Sequence, residues 1–312
     1  MKTYLNPLHL IGLIISRMFT GIRFNVITID SAYIQTFENN VRYIAQQKEA
    51  KMRGKGQEKT ESSQNHNWEI LGTLDAQEKT SARSPTPEQD AEWTRRVSLA
   101  KTYDIGTSTE LEDPVQMLVD PNSSLTRAIA MGMNRQFDDV FIAAVTGTAL
   151  DGDGATNALP AGQILGDGTT EISFDFVTQV QELFMSNDID PEVPKCFVVG
   201  PKQVRKLMQL TEQTSSDYVN ANRLLSYGIV PNWLGFTWIN STRLLIPLAD
   251  QITCFAVTMA AMGTNINKDI TVQVAQDPSI SFAWRIYSHM TLGTVRVEDA
   301  QVVECHLADT VT

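Results

Sequence analysis

Cysteine is scarce in this chain of 312 residues: there are three, Cys196, Cys254 and Cys305, each inside an apolar run. An odd, widely spaced set excludes a disulfide framework and a zinc site and points to reduced thiols in a cytoplasmic setting. The four histidines, His9, His66, His289 and His306, show no metal-ligand spacing. Basic charge is also in deficit. Twenty-five Lys and Arg against thirty-six Asp and Glu give a net charge of -11, so the molecule as a whole is repelled by phosphate backbones and anionic lipid. No apolar run approaches the ~20 residues that span a bilayer. The stretch from Leu8 to Ile15 behind Lys2 has the outline of a secretory signal, but Arg17 and Arg23 follow it where a small-residue cleavage site belongs. Residues 1–25 therefore read as an N-terminal extension or an over-called start, and the better-patterned chain begins near Val26.

Catalytic signatures are missing as well. There is no phosphate-cradling glycine loop with Lys and Ser or Thr, no dinucleotide fingerprint, no helix with paired histidines around a Glu, and no Gly-x-Ser-x-Gly turn. A cysteine nucleophile needs a base and partial exposure, whereas these three sit in buried-looking strands. Asp138 and Asp139 suggest a carboxylate pair, but adjacent helix positions point about 100° apart and cannot converge on one atom. Solvation, or a partner's Arg or Lys, explains them better. Asp151-Gly152-Asp153-Gly154 invites a calcium reading, yet Ala155 and Gly162 stand where the fifth and twelfth ligands belong. Turn chemistry accounts for the loop. The expected catalytic, cofactor-binding and metal residues are accordingly none.

What is present is an ordinary globular composition, 42% apolar and 20% charged, with length for two packed cores. Ile34, Phe37, Val41 and Ile44 recur at helical steps after Asp30, which predicts a helix over 29–47. Lys48, Lys51, Arg53, Lys55 and Lys59 follow, against Glu49 and Glu58, with Gly54 and Gly56 between them. Composition favours a solvated, flexible link here. The sharper alternative is a basic arm, with Lys48, Lys51, Arg53 and Lys55 touching nucleic acid or an acidic partner.

Residues 66–105 carry strand signals around Trp68, Ile70 and Leu74 and again around Trp93, Val97 and Leu99, separated by the polar tip Arg83-Ser84-Pro85-Thr86-Pro87. So few apolar residues cannot build a core, and an isolated two-stranded ribbon is marginal in water. Two arms of about twelve residues at ~3.3 Å each reach roughly 40 Å. The ribbon is expected to project and to take its order from a neighbouring molecule, through Trp68, Ile70, Leu74, Arg83, Trp93, Arg95 and Arg96. A hairpin folded back on its own domain is the alternative.

Asp120-Pro121 then opens a long helix in which Leu125, Ile129, Met133, Phe137, Val140, Phe141 and Ala144 recur, ended by Gly147. Some twenty-two residues give ~33 Å of rod. From Asp175 to Ala261 the pattern is α+β. It has an amphipathic helix on Phe176, Val180, Leu183 and Phe184, a buried strand at 196–199, and a helix after Gly200-Pro201 with Val204, Leu207 and Met208 inward. Strands follow at Trp233–Ile239 and Ile252–Val257, with a polar connector around Ser215-Ser216-Asp217. The tail alternates at Ile270, Val272 and Val274 and at Ile280, Phe282, Trp284 and Ile286, with Val295, Val297 and Val302-Val303 following.

The stretch from Asn134 to Ala144 followed by Gly147-Thr148-Ala149 resembles the spine-helix region of tailed-phage major capsid proteins. So do Ile29-Asp30-Ser31-Ala32-Tyr33, Pro114 to Pro121, Gly200-Pro201-Lys202-Gln203, Ser215-Ser216-Asp217-Tyr218 and Leu234 to Ile239. The resemblance runs in order from about Val26 to Leu307 and lapses over 1–25. It implies an α+β fold of Hong Kong 97 type. The parts would be an N-terminal arm (26–65), an extended β-hairpin loop (66–105), a peripheral domain with the spine helix (106–174) completed by C-terminal strands (264–312), and an axial domain (175–263). It implies a structural role without cofactors: self-assembly through hexamers and pentamers into an icosahedral virion shell enclosing double-stranded DNA. Portal and scaffolding proteins, a decoration protein and weak non-specific DNA contact are the implied partners, with assembly in the bacterial host cytoplasm and no membrane. Some members cross-link a loop Lys to a neighbour's Asn; Lys79 is near the tip, but no acceptor is identifiable. An encapsulin-like compartment and, more distantly, a soluble α+β enzyme are the rival readings.

Overall fold

The computed structural model describes residues 45–79, 81–83, 88–110, 121–209, 232–248 and 250–310. The chain divides after Arg42, and every described residue belongs to the second unit. The helix expected at 29–47 lies outside the described residues except for 45–47, which are not helical, and the connector at 215–217 also lies outside.

The periodic run after Pro121 folds as α1, Pro121–Thr146, about 39 Å of rod at 1.5 Å per residue. Its apolar face turns along its length. Met133 and Phe137 pack with Ile266, Met290 and Leu292. One and two turns on, Phe141, Ile142 and Val145 enter a second, larger core. A Cβ on Gly147 would stand 2.5 Å from the Ala143 carbonyl oxygen, so only glycine fits where the helix ends. The last turn has no basic residue of its own. Its free carbonyls are met instead by Arg296, whose Nη1 donates to Val145 O at 3.0 Å and Gly147 O at 2.6 Å. Nη2 donates to Asn157 O at 3.0 Å, and Nε to Asp299. A fully buried guanidinium thus supplies the donors and the positive charge that a helix C-terminus lacks.

Beside α1 lies a four-stranded sheet in the order β1-β12-β13-β4: Gln57–Lys59, Met262–Asp277, Ala283–Arg296 and Lys101–Thr109. β12 and β13 form a long antiparallel hairpin, with register shifts between Ile266 and Thr271. Ile286, Met290 and Leu292 point into the protein. Ile280 and Phe282, expected on the strand, lie instead in the exposed hairpin tip.

The other sheet has six strands in the order β7-β14-β11-β8-β10-β9. These are Ile164–Leu165, Val302–Ala308, Gln251–Thr258, Lys195–Val199, Phe236–Asn240 and Asn232–Trp233. β8 is buried at all five positions, with a parallel neighbour in β10 and an antiparallel one in β11. Helix α2, Phe174–Ser186, capped by Ser173 Oγ on the Phe176 amide at 3.1 Å, buries Val177, Val180 and Phe184 in the same core. Helix α3, Pro201–Gln209, buries Val204 and Leu207, while Met208 faces out. Trp233–Ile239 is a hairpin and not one strand, because Leu234 and Gly235 take φ of 51° and 78°, as a two-residue turn requires.

Strand pairing divides the chain differently from the expected domain limits. β14 falls within 264–312 but pairs with β11 over seven positions, not with the sheet beside Met133. Val302, Val303, Cys305 and Leu307 belong to the same core as Phe197 and Phe255. Alternation alone shows that a segment is a strand, not which sheet receives it. Replacing Arg296 with Met is expected to cost about 3–5 kcal/mol, the penalty for breaking a buried ion pair from one side. Urea unfolding monitored by circular dichroism checks this, and an unchanged midpoint refutes it.

Candidate subunit interface

The ribbon consists of β2, Asn65–Leu71, and β3, Trp93–Leu99, antiparallel and in register from Asn65 opposite Leu99 to Leu71 opposite Trp93. Its root is built into its own chain. Trp68 is buried with Ala149, Val295 and Val297, and Ile70 packs beside them half-buried. The indole lies against Gly263, where a Cβ would come within 2.4 Å of the ring, so the missing side chain makes the slot. Trp68 Nε1 donates to Ser98 Oγ at 3.2 Å, which donates to His66 O at 3.3 Å. Arg96 holds Asp151 at 2.7 Å and Asp299 at 2.9 Å. Asp299 is the residue that also takes Arg296, so two guanidiniums and two carboxylates join the ribbon root to the end of α1.

Trp68 and Arg96, expected to face another molecule, are therefore corrected to internal anchors. The sequence signals that a tryptophan occupies a strand; it does not show that Gly263, 195 positions later, opens a slot for it. Arg95 pairs across the strands with Glu69 at 2.7 Å, both half-exposed, a contact that supplies at most ~1 kcal/mol. Farther out, Leu71 is 52%, Leu74 57% and Trp93 68% exposed, and Arg83 is exposed at positive φ. Leu71, directly opposite Trp93, joins this exposed apolar set, and the strand pairing, not the local sequence, places it there. Exposed apolar side chains also cluster at Leu245, Ile246 and Leu248.

The basic segment is not a free link. Met52 is buried, and the fully buried Asp138 accepts from the Lys51 and Met52 amides, both at 3.0 Å, and from Gln47 Nε2. Asn134 Nδ2 donates to Lys48 O at 2.9 Å, and β1 extends the four-stranded sheet. A buried carboxylate that gathers two backbone N–H groups fixes its loop. The expectation of solvation or a partner's Arg or Lys for Asp138 and Asp139 is corrected accordingly: Asp138 is buried and takes amides, and Asp139 pairs with Arg243 of the same chain. Lys51 Nζ donates to Asn240 O, and Arg53 pairs with Asp269. Lys48 is exposed and Lys55 half-buried, with no ion-pair partner for either ammonium among the described residues.

The other polar candidates have structural employment. Asp151 accepts from Asn157 as well as from Arg96. Among the described residues, no three His, Cys, Asp or Glu side chains are grouped to hold a metal, and no helix is long and apolar enough to cross a membrane. All three cysteines are free and buried. Cys254 lies opposite Cys305 on β11 and β14.

With the geometry in hand, comparison with solved structures defines the class. The chain is similar to the capsid of cyanophage P-SCSP1u, with a TM-score of 0.68 at 16% identity over 90% of this chain and 94% of that one. It is similar to the capsid of Ralstonia phage GP4, with a TM-score of 0.70 at 10% identity over 92% and 98%. For cyanophage Pam1 the TM-score is 0.66 at 9% identity over 93% and 100%. Identities this low establish the fold, the Hong Kong 97 type. No curated protein sequence matches the chain. The chain belongs to the phage capsid protein family, whose sequence model matches residues 29–308. It is a major capsid protein, a structural component of a virion shell made of many subunits.

Burial pushes the Cys254 thiol up to about 12 and Cys305 well above its ordinary value, whereas unfolded cysteine ionises near ~8.5. A folded pKa above the unfolded one gives a contribution that is intact below about 8.5 and lost as pH rises towards 12. Stability is expected to fall through that alkaline window, as urea midpoints between pH 8 and 11 will show. A thiol reagent at pH 8 should label none of the three without denaturant; rapid labelling of the native chain would contradict the buried placement.

Proposed function

We propose that this protein closes an icosahedral shell around the double-stranded DNA of a tailed phage by laying the distal ribbon of each copy across a neighbour. The observation that carries this reading is the contrast along one hairpin. The root is locked by Trp68 and Arg96 into its own core, while Leu71, Leu74 and Trp93 stand in solvent. Exposed leucine and tryptophan on a two-stranded ribbon have no stability to gain alone and much to gain against a partner surface, where aromatic anchors dominate binding. A rigid root sets the direction of reach, so the same surface meets the same neighbour in every copy.

A ribbon reaching from one subunit to the next is a heterologous contact, which closes into rings when the rotation permits. Hexamers and pentamers of this kind tile a closed shell. In that assembly α1 and the four-stranded sheet make up the peripheral part, and the six-stranded sheet the axial part. Residues 26–65 act as the N-terminal arm, assembly takes place in the host cytoplasm, and portal, scaffolding and decoration proteins complete the particle. The role is mechanical and needs no chemistry. Interfaces of thousands of Å² per subunit resist the pressure of packaged DNA. The net charge of -11 keeps contact with that DNA weak and non-specific.

The test is electron microscopy of the expressed full-length chain, in which shells or rings are expected and a monodisperse monomer would overturn the reading. Two tryptophan variants separate anchor from interface. Trp68→Ala should lose about 3–5 kcal/mol of subunit stability. Trp93→Ala should leave subunit stability within ~0.5 kcal/mol and sharply reduce particle yield.

A further inference from the structure

We infer that the acidic distal half of the ribbon docks on the basic segment 48–59 of a second copy of this chain. This rests on the shell reading above and names the surface that receives the ribbon.

The two segments are complementary in charge. Between Gly72 and Glu92 the ribbon carries Asp75, Glu78, Glu88, Asp90 and Glu92 against Lys79 and Arg83, a net of -3. Residues 48–59 carry five basic side chains against Glu49 and Glu58, a net of +3. All five ribbon carboxylates are exposed, and none has an ion-pair partner among the described residues of its own chain. Lys48 and Lys59 are likewise exposed, with ammonium groups free of ion pairs among those residues. The two surfaces remain unmatched among the described residues of one chain, and identical copies can match them between chains, head to tail around a ring or reciprocally about a two-fold axis.

The receiving surface is also preorganised. The Asp138 bonds, the buried Met52 and the pairing of β1 with β12 fix the 48–59 backbone before any partner arrives, which lowers the entropy lost on docking. Charge then supplies orientation and register, while Leu71, Leu74 and Trp93, next to the acidic stretch, supply the apolar area. In a protein of net charge -11, copies repel at a distance, and a local surface of opposite sign tells the ribbon where to land.

DNA is the weaker occupant of this segment. Lys51 and Arg53 are already engaged with Asn240 and Asp269, which leaves Lys48, Lys55 and Lys59. Three phosphate contacts give only a shallow salt dependence and little affinity.

The test uses the full-length chain assembled into particles. Lys48→Glu together with Lys59→Glu should lower particle yield at least tenfold, and Glu88→Lys, Asp90→Lys and Glu92→Lys together should do the same. The chain carrying both sets should regain most of the yield. Wild-type yield from either reversed set alone, or no recovery in the combined chain, overturns the inference. Reversed chains that assemble normally but package less DNA would assign the segment to DNA and also overturn it. Loss of assembly through misfolding is separated by a second measurement. Carbodiimide treatment of wild-type particles made from mixed isotope-labelled subunits should join Lys48 or Lys59 of one chain to Glu88, Asp90 or Glu92 of another, and absence of every such link refutes the docking. Wild-type chains that form no particle would refute the shell reading instead.

Discussion

The interaction on which the architecture depends is the meeting of Arg296, Asp299 and Arg96 at the end of the long helix. Arg296 is inaccessible to water and satisfies three carbonyls from two stretches of chain: Val145 and Gly147 at the end of α1, and Asn157 beyond it. An isolated buried guanidinium is costly, and the cost is offset only where the geometry is good and every donor is used. Asp299 provides the counter-charge and passes it to Arg96, on the ribbon. Through these few groups the rod, the hairpin strand β13 and the projecting ribbon hold a common orientation. The ribbon has a fixed mounting even though Leu71, Leu74 and Trp93, beyond the root, are exposed.

The same rod connects two kinds of packing. Residues one helical turn apart change allegiance, Phe137 facing the four-stranded sheet and Phe141 the core of the six-stranded one. Because interiors are close-packed and transmit strain, a force applied at the ribbon root reaches both sheets through side chains already in contact. For a shell component this mechanical continuity matters more than any pocket.

Much of this was legible in the residues. The long helix from Pro121 followed from its period and its proline, β8 from its unbroken apolar run, and the ribbon from strand signals that flank a polar tip with too few apolar residues for a core. The resemblance to phage capsid proteins rests on segments spread from about Val26 to Leu307, and the family match covers nearly the same span, 29–308. What stayed hidden was long-range pairing. Nothing near Trp68 announces Gly263, and nothing near Asp138 announces the amides of Lys51 and Met52, so from the sequence an internal anchor looks like an interface and a docked segment like a loose link. The sheet that receives β14 is hidden for the same reason, since period-2 alternation is identical in either sheet. Local chemistry is written locally; partner choice is not.

The position of β14 has a consequence for how each subunit comes into being. It fills the gap between β11 and the two-residue β7, yet in sequence the whole β12–β13 hairpin separates it from β11. Non-local pairing of this sort slows folding. Until β14 arrives, β11 offers a row of unpaired amides and carbonyls flanked by apolar side chains, a template for a strand from any nearby chain. A cell making many copies at once must therefore keep nascent chains from lending each other that strand, and the fidelity of a large assembly begins with this intramolecular race.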